Sequence, residues 1–326
     1  MISERRHAIL GLIIEHYLRT GEPIGSKTLC QLLPYSISSA TIRNEMAYLT
    51  QLGFLEQRHT SGGRVPSKAS YRYYVDNIMQ EKPISKYETD KINEALSVNS
   101  GDPERLLADA CKLLEEYSHC AAFCATLEDP YDCIQGVDLI PAGNQKAMLV
   151  MLTVGSKIKS SLINMPCALD EDFRKKFYEV SAKFLTGTPL TNVNLALIQS
   201  AVGVAGERIF DMLPALSSLC ALCNEASHSK LTLEGETNLL SHSELGSDLY
   251  KILGLLTEKK QLMELSKSFA NSNSKQLLLI GDENPIYEMK NTSTVIAKYN
   301  YEGGQKAVLG VIGSMRILSL IHISEP

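Results

Sequence analysis

The sequence contains no tryptophan, and aromatic residues make up only 6% of it. No stretch approaches the ~18–20 consecutive apolar residues of a helical membrane span, so no membrane partner is expected. Arg5 and Arg6 precede the apolar residues Ala8–Ile14, but Glu15 and His16 break that run and no cleavage site follows, so no secretory signal is read there. The sequence has no P-loop, no dinucleotide-binding glycine fingerprint and no nucleophile elbow, and no cluster of catalytic groups stands out. An enzyme and a cofactor are therefore not expected. Zinc is not expected either. Cys220-Ala221-Leu222-Cys223 is a single CxxC without a second pair, and His228 alone adds little. At i, i+3 spacing in an apolar stretch these cysteines read as packing residues, as do Cys120 and Cys124. The eight cysteines together read as reduced thiols of a cytoplasmic protein.

What is present is an ordinary globular composition, 44% hydrophobic and 21% charged over 326 residues. That is enough for two or three domains. The net charge of −5 is unevenly spread. Residues 1–80 carry nine Lys/Arg against six Asp/Glu, and the remainder carries 23 against 31. A modestly basic N-terminal unit on an acidic body fits a nucleic-acid reader joined to a regulatory part.

The first 80 residues have a clear order of elements. Ser3 is positioned to cap a helix over about 4–19, with Ile9, Leu10, Ile13, Ile14, Tyr17 and Leu18 on one face. Gly21 and Pro23 end it. Ser26 is read as the cap of a short second helix, stopped at Pro34, and Ser38 or Ser39 as the cap of a third over about 39–52. Phe54–Arg58 and Arg64-Val65-Pro66, around a glycine-containing turn, read as a short hairpin. Ser67 then caps a helix through Ile78, and Pro83 marks a boundary. Residues 86–118 read as helical. Apolar runs at 119–127, 134–141, 147–154 and 158–165 read as strands, 170–228 as helical, 231–234 as a strand and 246–270 as an amphipathic helix. Strands return at 276–280, 294–299 and 306–312, with Gly303-Gly304 as a hairpin turn. Strands, then helices, then strands predict one sheet domain interrupted by a mostly helical insertion.

Three helices followed by a hairpin is the order of a winged helix-turn-helix. In the third helix Ile42, Met46 and Leu49 fall at i, i+4 and i+7 and face a core. Ser39, Ala40, Arg43, Asn44 and Ala47 share the opposite face. That face is small and polar, so it can enter a major groove. Arg pairs with guanine O6/N7 and Asn with adenine N6/N7. Ser39, Ala40, Arg43 and Asn44 are thus the candidates for reading bases. Ser26, Lys27, Ser38 and Thr41, near helix starts, are candidates for phosphate contacts. So are Arg58, His59, Thr60, Ser61, Gly62, Gly63 and Arg64 on the wing, and Lys68 and Arg72 on the next helix. The competing reading is that Arg43 and Asn44 are solvated surface residues, as on any exposed helix face.

Several motifs carry a family resemblance. They are Gly21-Glu22-Pro23-Ile24-Gly25-Ser26-Lys27-Thr28-Leu29, Ser39-Ala40-Thr41-Ile42-Arg43-Asn44-Glu45-Met46, Leu52-Gly53-Phe54-Leu55-Glu56-Gln57, His59-Thr60-Ser61-Gly62-Gly63-Arg64-Val65-Pro66 and Tyr71-Arg72-Tyr73-Tyr74-Val75-Asp76. Later come Leu233-Glu234-Gly235, Ile280-Gly281-Asp282-Glu283-Asn284-Pro285 and Leu309-Gly310-Val311-Ile312-Gly313. Together they resemble HrcA, the bacterial heat-inducible repressor of chaperone genes. The resemblance implies an α+β fold: an N-terminal winged helix-turn-helix, then a GAF-like mixed α/β domain interrupted by an inserted dimerisation domain. With the boundaries read above, these are residues 1–82, then 83–167 with 271–326, then 168–270. It also implies double-stranded DNA with an inverted-repeat operator, a homodimer, and the chaperonin GroE as the partner that maintains activity. Dimerisation is expected on physical grounds too, because a twofold assembly matches a palindrome.

The alternative function is a winged-helix regulator of another regulon whose GAF-like domain senses a metabolite. At the C-terminus, Ser314-Met315-Arg316 and the following Ile317–Pro326 depart from the family pattern. They resemble translated adapter read-through, and the expectation is that the last helix of the GAF-like domain is lacking.

Overall fold

A computed structural model describes residues 3–57, 63–79, 83–143, 145–300 and 306–317. The chain is of mixed α and β composition. It opens with α1 (Glu4–Thr20), α2 (Ser26–Leu32) and α3 (Ser39–Gln51), then a minimal antiparallel pair, β1 (Leu55–Glu56) with β2 (Val65–Pro66), and α4 (Lys68–Asn77). Gly21 closes α1 in the left-handed conformation, its N–H donating to the Tyr17 carbonyl. Ser67 caps α4 by accepting from the Ser70 amide. The cap of α2 is Gly25 rather than Ser26, one position earlier than expected. Ile9, Leu10, Ile13 and Ile14 of α1 form one core with Leu29, Ile42, Leu49, Leu55 and Val65.

The region 86–118 is two helices, α5 (Lys86–Ser97) and α6 (Pro103–Ser118). Asp102 accepts from the Glu104 and Arg105 amides and Pro103 fills the first turn, so α6 restarts there. Ser85 and Glu88 form a capping box at α5. Next come β3 (Ala121–Thr126), β4 (Ile134–Pro141), β5 (Lys146–Thr153), β6 (Ile158–Asn164), α7 (Glu171–Val180), α8 (Leu195–Ala205), α9 (Ile209–Ser227) and β7 (Lys230–Glu234). The expected single helix over 246–270 is also two, α10 (Leu249–Glu258) and α11 (Lys260–Ala270), because Lys259 between them is left-handed. The chain continues with β8 (Gln276–Ile280), β9 (Thr292–Asn300) and β10 (Lys306–Ser314). The expected turn at Gly303-Gly304 lies outside the described residues.

The strands form two larger sheets. The five-stranded sheet has the order β7-β3-β10-β9-β8, every described pairing antiparallel. The strands β4-β5-β6 form a separate three-stranded meander. Ile134, Leu149 and Met151 of that meander share a core with Phe173 and Phe177 of α7, Ile198 of α8 and Leu216 and Leu219 of α9. The chain's excursion from the main sheet runs from the end of β3 to the start of β7. Conversely, Leu231 and Leu233 of β7, Ile252 and Leu256 of α10 and Leu262 and Phe269 of α11 pack on Phe123, Ile296 and Val308 of the main sheet. The opposite face of that sheet, with Ala122, Cys124 and Ala307, is covered by Leu107 and Cys111 of α6. Period-2 alternation along β3 thus serves two cores. No helix among the described residues is long and apolar enough to cross a membrane.

Candidate nucleic-acid interface

The third helix shows the facing that its sequence predicts. Ser38 is its cap, accepting from the Thr41 amide at 3.1 Å, and the two hydroxyls lie 2.8 Å apart. Ile42, Met46 and Leu49 are buried. Ala40, Arg43, Asn44 and Ala47 are exposed, whereas Ser39 and Thr41 are half-buried. Among the described residues, neither Arg43 nor Asn44 has a side-chain hydrogen-bond or ionic partner. The face combines one guanidinium and one carboxamide with two methyl-sized neighbours, which is what bidentate contact to base edges requires.

One functional residue was missed. Glu45 follows Arg43 and Asn44 on the same helix but turns inward and is buried. Its carboxylate accepts from Arg6 Nε at 2.6 Å and from Arg5 Nη2, both of α1. The Arg6 guanidinium also lies 3.7 Å from the centroid of the Tyr48 ring, back on α3. Arg6 first, and then Arg5, hold the Glu45 carboxyl below the usual carboxylate range, against the opposing effect of burial. This arrangement pins the rotation of α3 about its axis while neutralising an acid beside the candidate DNA face. A polar residue flanked by the apolar positions Ile42, Met46 and Leu49 is the one local sign of it.

The wing is described at its base. The candidates Arg58, His59, Thr60, Ser61 and Gly62 lie outside the described residues. Arg64 is half-buried and pairs its backbone with Ile24, at 3.0 and 3.2 Å in the two directions. A Cβ on Gly63 would lie 2.5 Å from the Ile24 carbonyl oxygen, so glycine here serves close backbone approach inside the unit. Lys27 is exposed on α2, with Ser26 half-buried before it.

Residues 104–318 match the family model for the HrcA protein C-terminal domain. Among curated proteins, a heat-inducible transcription repressor HrcA from Lachnoclostridium phytofermentans is 32% identical, over 97% of this chain and 92% of its own length. One from Acetivibrio thermocellus is 30% identical, over 97% and 91%. The chain belongs to the HrcA family. A crystal structure described only as that of a hypothetical protein at 2.2 Å resolution shares the fold with a TM-score of 0.73. It is 21% identical, over 99% of this chain and 95% of that one.

In this HrcA-family chain, two of the phosphate candidates have partners within the protein. Lys68 donates to Asp282 Oδ1 at 3.1 Å and to the Lys290 carbonyl at 2.9 Å. Arg72 donates to both oxygens of Glu283, through Nε at 2.8 Å and through Nη2, and also to the Leu278 carbonyl at 2.7 Å. Both cations reach the edge of the five-stranded sheet, where each faces a carboxylate. The cysteines behave as packing groups. Cys223 is fully buried in the core of the excursion, and desolvation pushes its thiol up to about 12. Cys120 and Cys124 are likewise pushed up to about 12 by burial. The excursion also presents apolar side chains to solvent, among them Leu195 and Val202 of α8 and Phe210 and Leu213 of α9.

Proposed function

We propose that residues 3–79 are a winged helix-turn-helix that reads an inverted-repeat operator, and that the chain acts as a dimeric repressor of heat-shock and chaperone operons. The observation that carries this is the α3 face: Ala40, Arg43, Asn44 and Ala47 exposed, with Arg43 and Asn44 unengaged among the described residues, on a helix fixed from behind by Ile42, Glu45, Met46 and Leu49. Ser38, Thr41, Lys27 and the wing supply phosphate contacts that set register. The five-stranded sheet with its helices is read as the GAF-like domain and the excursion as the dimerisation unit. The exposed Leu195, Val202, Phe210 and Leu213 are the kind of surface a self-complementary interface buries. The names of the relatives support heat-inducible repression. Chaperonin GroE is the partner proposed to keep the repressor active, so that its diversion by unfolded protein on heating releases repression.

The test is binding-site selection with the full-length protein, with and without chaperonin. Recovery of a palindrome, bound more tightly when chaperonin is supplied, is the expected result. Recovery of no preferred sequence would remove the operator reading.

One observation favours a second reading. A cavity of about 380 Å³ lies between α5, α6 and the sheet, lined by Leu106, Ala110, Leu113, Val295, Tyr299 and Val311. It has the size and apolar character of a small-ligand site. In that reading an apolar metabolite regulates a different regulon. Operator occupancy that follows an apolar extract rather than chaperonin would favour it.

A further inference from the structure

The five-residue stretch Ile280-Gly281-Asp282-Glu283-Asn284 leaves β8 as a tight knuckle. Gly281 has φ +58, and a Cβ there would lie 2.9 Å from Lys68 Cδ, so the knuckle approaches α4 closely. Asn284 is buried. Its Nδ2 donates to the Gly281, Met289 and Thr292 carbonyls, each at 3.1 Å, and its Oδ1 accepts from Thr294 at 3.0 Å. The knuckle is therefore rigid in itself. Glu283 is held in turn by the Ile280 amide at 2.9 Å. Against this platform α4 sets the Arg72 fork on Glu283 and Lys68 on Asp282. Ile280 is buried in the core of the N-terminal unit, with Leu278 and Met315 packed beside it. A third contact lies at the far end of α1. Arg316, beyond β10, donates through Nε to the Leu18 carbonyl at 3.1 Å and through Nη2 to the Arg19 carbonyl at 3.4 Å, completing the helix C-terminus.

Units of one chain joined by small interfaces ordinarily move relative to one another. Here the apolar part of the junction is three side chains, and a bidentate charge-assisted pair supplies the geometric specificity. We propose that Arg72 and Glu283 are positioning residues that determine which half-site spacing the dimer accepts. The proposal rests on the operator reading given above. In a twofold dimer, the separation of the two α3 helices follows from the angle between each N-terminal unit and its sheet domain. A locked angle selects one spacing, and a free hinge averages over several.

The experiment uses the full-length protein and a set of palindromes whose half-sites are moved apart one base pair at a time, together with a duplex holding one half-site. The parent protein is expected to show a sharp optimum. Glu283→Gln, which removes the charge but leaves an acceptor for the Ile280 amide, should flatten the preference by about tenfold, within the usual range of coupling between distant sites. Its affinity for the single half-site should be unchanged, which also shows that the variant is folded. Arg72→Lys keeps the charge without the fork and should flatten the preference less. The swap Arg72→Glu with Glu283→Arg should restore part of the optimum. An unchanged spacing optimum in both Glu283→Gln and Arg72→Lys overturns the positioning role and leaves the operator reading intact. A parent protein that does not distinguish the half-site from scrambled DNA overturns the operator reading, and the spacing role with it.

Discussion

The N-terminal unit and the excursion are both small bodies of helices and strands attached to the same five-stranded sheet, yet they show opposite faces to solvent. On α3 the outward residues are small, polar or cationic apart from Tyr48, whose ring lies against Arg6. On α8 and α9 they include Leu195 and Phe210, 74% and 72% exposed. A surface helix ordinarily puts its apolar residues inward, as α3 does. Leaving large apolar groups in water forgoes about 25 cal/mol for each Å², so such a cluster indicates a partner surface. The attachments differ as well. The N-terminal unit is held by ion pairs near solvent. The excursion is braced from within, beside both chain crossings, by Lys157, which pairs with Asp132 at 3.4 Å, both side chains buried, and donates to the Ala226 carbonyl at 2.9 Å. The unit proposed to meet a polyanion is docked through charge near solvent, while the unit proposed to meet its own copy is braced internally by a desolvated pair.

That contrast can be broken at either end. The largest effect is expected from Phe210→Asp. A charge in the apolar face should convert the dimer to monomer in sedimentation equilibrium and cost about 10²–10⁴-fold in palindrome affinity, the gain a second linked site brings. Half-site binding should be spared, and a dimer that persists would move the interface elsewhere. Next is Asp132→Ala, which leaves Lys157 buried without its carboxylate partner. About 3–5 kcal/mol of stability should be lost, read by urea denaturation of the excursion. A loss below about 1 kcal/mol, the scale of an exposed pair, would mean that the site around Lys157 is wetter than its burial implies. On the other unit, Arg43→Ala should cost about 1–3 kcal/mol of discrimination between operator and scrambled DNA in a salt-titrated gel shift. The salt slope should barely change, because phosphate contacts set it. Retained discrimination would reassign the reading helix.

What could be read beforehand divides along the same line. Helix facing is a local property, so Ile42, Met46 and Leu49 locate the exposed Arg43 and Asn44 from spacing alone. The strands were legible too, from β3 to β10. Their partners were not. Local patterning does not tell that β3 joins β10 while, among the described residues, β4, β5 and β6 form a sheet with one another, so where the chain leaves the main sheet is not legible from it. The partners of Lys68 and Arg72 were hidden for the same reason. As cations near a wing they fit phosphates, but their carboxylate partners lie 214 and 211 residues further along. Glu45 was passed over because Arg5 and Arg6, read only against a signal-peptide pattern, had no visible connection to it. The wing tip, at Arg58 to Gly62, remains an expectation.

The smallest expected effect sharpens the contrast within α3 itself, where one residue separates a solvent-facing Asn from a buried acid. Glu45→Gln should lower the melting temperature at neutral pH, and the sign with pH follows from the pair. Arg6 and Arg5 depress the carboxyl in the folded chain below its unfolded value of ~4.3. Stability from that shift is fully present above ~4.3 and is lost as pH falls through the lower folded value. Arg5 is half exposed, so screening keeps the effect modest, and added salt should reduce it further. The melting curves of parent and variant should therefore differ most near pH 7 and converge as the pH falls below the lowered folded value. A difference independent of pH would mean that Glu45 acts through shape and packing alone. In that case Arg5 and Arg6 would be free to face the DNA backbone, and the exposed face of α3 would not be the only cationic surface of the unit that matters.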